Sequence, residues 1–258
     1  MFDITLLWAT CLQMEMTCVD HIPDSDTPNS VKILGKILLK EEPVFDISAK
    51  DHMIKMLKET CYNADAVLAR EDKTRELFDR HKDLIHPAAT SHVNYYEIAF
   101  GRMPTGEGVL DLGTGNAGCL CVWEHIANFT PPRIASDIYM GNINVTPGFI
   151  GQQLSATDVL ATFGENSFDH VQCCETLEHV TEEESTDIAR QMAIVTRKTA
   201  FITSCGLSHH LGPDNMEKVQ VNKYLEYKGQ PNIEMLMDLG YQVRLLANYQ
   251  ILAWYIKK

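Results

Sequence analysis

One stretch, Val109-Leu110-Asp111-Leu112-Gly113-Thr114-Gly115-Asn116-Ala117-Gly118, limits what this chain can become more than any other. Val109 to Leu112 has the apolar, partly β-branched character of a buried parallel strand. Gly113 and Gly115 remove side chains where the backbone must turn sharply and lie against a ligand. The residues after the turn open a helix, and its first N–H groups point at whatever sits above. Strand, glycine turn and helix together make a nucleotide-type cofactor loop.

Taken literally, Gly113, Gly115 and Gly118 satisfy G-x-G-x-x-G, the dinucleotide fingerprint, which leaves a dehydrogenase as one enzyme class for the chain. The acid ahead of the glycine pair favours another. Asp-Leu-Gly-Thr-Gly closely resembles motif I of the class I S-adenosylmethionine-dependent methyltransferases: an acid, any residue, Gly, any residue, Gly. The cofactor implied by this resemblance carries an amino group and a sulfonium, which a carboxylate at the strand end attracts. The same carboxylate repels a pyrophosphate.

From Gly108 onward the pattern alternates strand and helix, as a doubly wound parallel sheet requires. Strands are expected at Val109–Leu112, Arg133–Ser136, near Gln153–Leu154, at Phe168–Cys174, Thr199–Ser204, Tyr241–Leu246 and Gln250–Ile256. Helices are expected at about Ala117–Asn128, stopped by Pro131-Pro132, at about Glu182–Thr196 and at about Asn232–Leu239. The last two strands are joined by Ala247-Asn248-Tyr249, too few residues for a crossover, so they must be antiparallel. An α/β fold with a Rossmann-like doubly wound sheet of seven strands and an antiparallel last strand is the class I methyltransferase layout.

That resemblance covers residues 106–258, expected to form the S-adenosylmethionine-binding domain. Residues 1–105 form a mainly helical N-terminal region. Ser48 is placed as a helix N-cap with Asp51 in the capping-box position, a second helix is expected over Asp72 to Leu84, and a third over Ser91 to Phe100. The resemblance implies a lid or a homodimer interface for this region; packing onto the core sheet is the plainer alternative.

Asp137 stands at a strand end 19 residues past Gly118, where a carboxylate accepts hydrogen bonds from a ribose diol. Asp158, in Ala-Thr-Asp, resembles the acid that methyltransferases place against the adenine amino group, with a neighbouring backbone N–H; an N-cap on Val159–Phe163 is the other reading. The resemblance thus implies cofactor contacts from the turn residues Asp111, Gly113, Thr114 and Gly115, and from Asp137, Thr157, Asp158 and Glu175.

Asn166-Ser167-Phe168-Asp169, an apolar strand, and then Glu175-Thr-Leu-Glu178-His179-Val180 resemble the motif IV region of many family members. The form E-x-x-E-H is similar to the ubiquinone-biosynthesis O-methyltransferases and to the small-RNA 3′-terminal 2′-O-methyltransferases, which hold a divalent metal there. The resemblance implies a metal such as Mg²⁺ on Glu175, Glu178, His179 and His210. His179, His209 or His210 would otherwise serve as the base, the last two from a long loop between Cys205 and Tyr227 that forms the substrate wall.

Thirty-five acidic against 22 basic residues give a formal charge of −13, and no run of Lys and Arg stands out. Such a surface disfavours nucleic acid and points to a small-molecule methyl acceptor. Methylation of RNA or protein, including metal-assisted 2′-O-methylation, and a non-catalytic cofactor-binding regulatory module remain the alternatives. Eight cysteines without a C-x-x-C pair are read as reduced thiols, no 18-residue apolar span exists, and the N-terminus lacks a basic signal-peptide region. The expected address is cytoplasmic.

Overall fold

Successive strand residues face opposite sides of a sheet, so a strand covered on both faces becomes an unbroken apolar run. The inner part of Gly106–Leu112 follows this rule, with Leu110 and Leu112 in one buried cluster and Val109 in the other, and the buried acid Asp111 is its one polar break. The structure is a computed structural model and describes residues 64–86, 92–102, 104–115, 129–139, 149–206, 222–246 and 250–258. The chain divides into two units, Met1–Lys55 and Met56–Lys258, and all described residues lie in the second. The expected Ser48 helix start, the helix at Ala117–Asn128, and most of the loop between Cys205 and Tyr227 fall outside them.

Numbered along the described residues, the elements begin with helix α1 (Ala64–Arg80), strand β1 (Ile85–His86) and helix α2 (His92–Phe100). Strands β2 (Gly106–Leu112), β3 (Phe129–Asp137) and β4 (Ile150–Gln153) follow. Next come helix α3 (Val159–Phe163), strand β5 (Phe168–Cys174), helix α4 (Glu182–Val195) and strand β6 (Thr196–Ser204). Helix α5 (Ile233–Asp238) and strands β7 (Gln242–Leu246) and β8 (Gln250–Ile256) close the chain.

One eight-stranded sheet runs in the order β1-β7-β8-β6-β5-β2-β3-β4. Every pairing is parallel except those of β8, which is antiparallel to both β6 and β7. From β2 onward these are the seven strands and the antiparallel last strand of the class I methyltransferase Rossmann-like layout. The eighth, β1, comes from the N-terminal region and pairs with β7 over two residues. A two-residue strand carries no periodicity, so nothing in the sequence announced it.

Several boundaries differ from the sequence expectation, each for a physical reason. Helix α1 starts at Ala64 rather than Asp72, and it ends at Arg80 before a 3₁₀ turn at Lys82–Leu84. Its buried stripe, Ala64, Val67, Glu71, Thr74, Leu77 and Phe78, is helical in spacing, but two polar members disguised its first half. Strand β3 begins at Phe129, not Arg133, because Pro131 and Pro132 lie inside it; they are exposed and coincide with a register shift against β2 between Glu107 and Val109. Helix α4 matches closely. Thr181 caps it in a full capping box with Glu184, and Glu182, Glu183 and Glu184 answer the helix dipole.

The sheet separates two cores. On one face Leu110, Leu112, Val171 and Ile202 pack with Leu77 and Phe78 of α1, Ile188 and Met192 of α4, and Ile233 and Leu236 of α5. On the other, Tyr95, Tyr96 and Ala99 of α2 cover Val109, Phe129, Phe201, Leu252 and Trp254. Helix α1 is tied down by Arg70. Its guanidinium donates to the carbonyls of Gln230 (2.8 Å), Val180 (2.9 Å) and Lys228 (3.2 Å). A Cβ on Gly229 would lie 2.5 Å from Arg70 Cδ, so a glycine is required for that approach. Among the described residues, no helix is long and apolar enough to cross a membrane.

Candidate active site

Strand β2 has β3 on one side and β5 on the other. The chain winds outward through β3 and β4, then returns to the opposite side of β2, and this reversal opens a crevice at the carboxyl ends of the strands. The sequence-predicted turn sits there. Asp111 is 4% exposed. One of its carboxylate oxygens accepts from the Thr114 hydroxyl and the other from the Gln172 amide at 3.0 Å. The Ser136 hydroxyl donates to the Asp111 carbonyl (2.9 Å), and Thr114 N–H donates to the Ser136 carbonyl (2.9 Å). Asp111 therefore shapes the turn through its neighbours as well as setting a negative charge beneath it.

Gly113 and Gly115 both adopt positive φ, +68° and +55°. Gly113 is enclosed: a Cβ there would meet the Thr176 side chain at 2.3 Å. Among the described residues, the nearest atom to where a Gly115 Cβ would lie is the Gly113 carbonyl oxygen, 4.0 Å away. The first glycine thus permits loop-on-loop contact. Asp137 ends β3 and is 7% exposed. Its carboxylate accepts from Gly115 N–H (2.9 Å) and Tyr139 N–H (2.8 Å), which joins the end of β3 to the glycine turn.

After β4, Thr157 and Asp158 lie in a 3₁₀ turn at Ala156–Asp158 capped by Ser155. The Thr157 hydroxyl is 2.8 Å from that of Ser155, and its carbonyl accepts from Gln191 at 2.6 Å. Asp158 occupies the N-cap position of α3 but makes no side-chain capping bond, and its carboxylate is exposed. Its side chain is therefore not spent on the helix.

Glu175 follows β5 with φ +52°, a left-handed conformation unusual for a glutamate. The bend brings Thr176 over the first loop, where its hydroxyl is 3.1 Å from the carbonyls of both Gly113 and Cys174. A 3₁₀ turn at Leu177–His179 comes next. Glu178 is fully buried; it accepts from the Ser204 hydroxyl (3.1 Å) and from the Cys205 thiol (3.2 Å). Burial, with the Glu175 carboxylate beside it, pushes the Glu178 carboxyl up to about 7. Burial, with both glutamates nearby, holds the Cys205 thiol well above its ordinary range.

The metal expectation meets this geometry directly. Among the described residues, Glu175, Glu178 and Cys205 bring ligand-type atoms within 4.8 Å of one another, whereas His179 is not in that group. The His179 Nδ1–H donates to the Glu226 carbonyl at 3.2 Å, on a segment over the loop. The set does not fit Mg²⁺. That ion keeps several waters in an octahedral oxygen shell, while Glu178 is sealed from solvent, already hydrogen-bonded, and partnered by a protonated thiol. His210, the fourth expected ligand, and His209 lie outside the described residues.

Of the residues that knit the site, Gln172, Ser204 and Cys205 carried no motif, and Thr176 was only an unassigned member of Glu175–Val180. Only the strand register, which sets Asp111 opposite Gln172 and Cys174 opposite Thr203, brings them to the crevice.

No family model matches the chain, and no curated protein matches it in sequence. Solved structures with a similar chain course include an S-adenosylmethionine-dependent methyltransferase from Archaeoglobus fulgidus (15% identity, 64% of this chain and 91% of that one, TM-score 0.45). Another is a putative S-adenosylmethionine-dependent methyltransferase from Listeria monocytogenes (12% identity, 65% and 100%, TM-score 0.46). A third is the magnesium protoporphyrin IX methyltransferase of Synechocystis PCC 6803, solved with bound S-adenosylhomocysteine (15% identity, 75% and 100%, TM-score 0.43).

Proposed function

We propose that the chain is an S-adenosylmethionine-dependent methyltransferase that O- or N-methylates a small-molecule acceptor. The observation that carries this is the pair of buried carboxylates, Asp111 and Asp137, converging on one glycine turn at the switch point of the sheet. A turn with negative charge beneath and beside it suits a cationic ligand and disfavours a pyrophosphate. The exposed carboxylate of Asp158, which does not cap α3, is compatible with the adenosine end of the same ligand.

When bound, S-adenosylmethionine supplies a methyl group on a sulfonium, a centre that needs alignment more than activation. The chain's work is then to hold acceptor and donor in line and to exclude water; good alignment contributes roughly 7–11 kcal/mol of barrier reduction. Asp111, Gly113, Thr114, Gly115 and Asp137 would hold the cofactor, with Thr157, Asp158 and Glu175 at its margins. An acceptor hydroxyl has to lose its proton. His179, whose Nδ1–H donates to the Glu226 carbonyl, is the imidazole among the described residues of this loop assigned to receive that proton. His209 and His210 are candidates for the same task.

Incubation with methyl-labelled S-adenosylmethionine and separated small-molecule, RNA and protein fractions tests the acceptor class. Label is expected in the small-molecule fraction, and His179→Gln is expected to slow its transfer by about 10²–10⁴-fold. Label confined to RNA or protein would overturn the acceptor assignment. No label in any fraction, with the cofactor bound, would favour a regulatory module.

A further inference from the structure

We propose that Tyr96, on helix α2, is a positioning residue for the cofactor turn, acting through Gln172 and Asp111. The inference rests on the assignment of the Asp111–Gly115 turn to S-adenosylmethionine. Strand register puts the side chains in line: Asp111 is opposite Gln172, and Gln172 is opposite Phe201. Tyr96 stacks on Phe201, with ring centroids 4.2 Å apart, and so stands one strand over from Gln172. Its hydroxyl donates to the Gln172 amide oxygen; the Gln172 amide nitrogen donates to one Asp111 oxygen at 3.0 Å, and the Thr114 hydroxyl donates to the other.

The bonds run in one direction: the Gln172 amide turns its nitrogen to the Asp111 carboxylate and its oxygen away from it. That oxygen needs a donor, and the Tyr96 hydroxyl supplies it. Tyr96 and Gln172 are 1% and 0% exposed, so water does not reach the pair to take the hydroxyl's place. Without that donor the amide loses the bond that fixes its orientation; the Asp111 carboxylate loses a fixed partner, and the Thr114 hydroxyl loses a fixed acceptor. A helix that precedes the cofactor turn in sequence thereby sets the turn's shape from beneath the sheet's end.

The same helix provides a control. The Tyr95 hydroxyl donates to Gln250 Oε1 at 2.7 Å, on β8, away from the turn. Tyr95→Phe and Tyr96→Phe each remove one buried hydroxyl from α2 and keep the ring. Calorimetric titration of the full chain with S-adenosylhomocysteine is the measurement. Tyr96→Phe is expected to weaken binding by about tenfold, and Tyr95→Phe by less than about twofold. Thr114→Val is expected to weaken it too, and the Tyr96→Phe/Thr114→Val double variant no more than Thr114→Val alone, because both act on one chain of bonds. Gln172→Met, which keeps the length but breaks both links, carries the same expectation as Tyr96→Phe. Wild-type binding with Tyr96→Phe and Gln172→Met unchanged, fully additive losses in the double variant, or an equal loss in Tyr95→Phe would overturn the positioning role alone. No binding by the wild type would overturn the cofactor assignment and the positioning role with it.

Discussion

Replacing Gly113 with alanine is expected to remove cofactor binding and to cost the fold several kcal/mol. Two separate effects add. The residue holds φ +68°, a conformation that costs an L side chain about 1–2 kcal/mol. In addition, the new Cβ would lie 2.3 Å from both Cγ2 and Oγ1 of Thr176 and 2.8 Å from its Cβ. No rotamer of Thr176 relieves the contact at its Cβ, so the backbone of one of the two loops has to move, at about 1–3 kcal/mol for overpacking. The glycine loop is the one that holds Gly115 N–H against Asp137, so its displacement disturbs that bond. Affinity for S-adenosylhomocysteine should fall by at least about a hundredfold. Adding Thr176→Gly should recover the packing cost and leave the conformational one, giving intermediate stability by urea unfolding. An unchanged unfolding midpoint in the single variant would mean that the two loops are not pressed together.

The second large effect is an opposition between two buried titrating groups. His170 is 1% exposed, stacked against Phe129, and its Nδ1 is 2.7 Å from the Thr199 hydroxyl. Burial lowers it from 6.5 to about 3, so the folded protein keeps it neutral while the unfolded chain takes up a proton. Its contribution is present above pH 6.5 and is lost as pH falls toward 3. Glu178 runs the other way. Raised from 4.5 to about 7, it binds its proton more tightly when folded, so it favours the fold below pH 4.5 and loses that advantage as pH rises to 7. The two groups therefore push stability in opposite directions where their windows overlap. Stability curves of variants should separate them. Relative to Glu178→Gln, the wild type should lose stability as pH rises from 4.5 to 7; relative to His170→Gln, it should lose stability as pH falls from 6.5 to 3. Curves parallel to the wild type across these windows would show that neither group is buried in the way described.

Legibility in the sequence followed burial and length. Phe168–Cys174 was bounded correctly because all seven of its residues are buried, so the run stays unbroken to both ends. The antiparallel closing pair was fixed by its short connection. Strand β3 was cut short because Pro131 and Pro132 look like stops, although their exposure lets the strand tolerate them. In the site, strand-end acids and turn glycines were visible because the turn requires those residue types at that spacing. The grouping of Glu175 and Glu178 with Cys205 rather than His179 was not. It depends on a left-handed glutamate followed by a 3₁₀ turn, and on β6 ending beside them, neither of which spacing encodes. Gln172 was silent because a polar residue in the middle of a strand acquires meaning only from its register partner, and Tyr96 because its partner is 76 residues away on that strand.

The most direct test of the account is calorimetric titration of the wild type and of Asp137→Ala with S-adenosylmethionine and S-adenosylhomocysteine. The Asp137 carboxylate carries both Gly115 N–H and Tyr139 N–H, so its loss should leave the turn without its outer support. The account predicts micromolar binding of both ligands by the wild type, weakened by at least about a hundredfold in Asp137→Ala. No heat with either ligand would contradict it, and so would wild-type affinity in the variant.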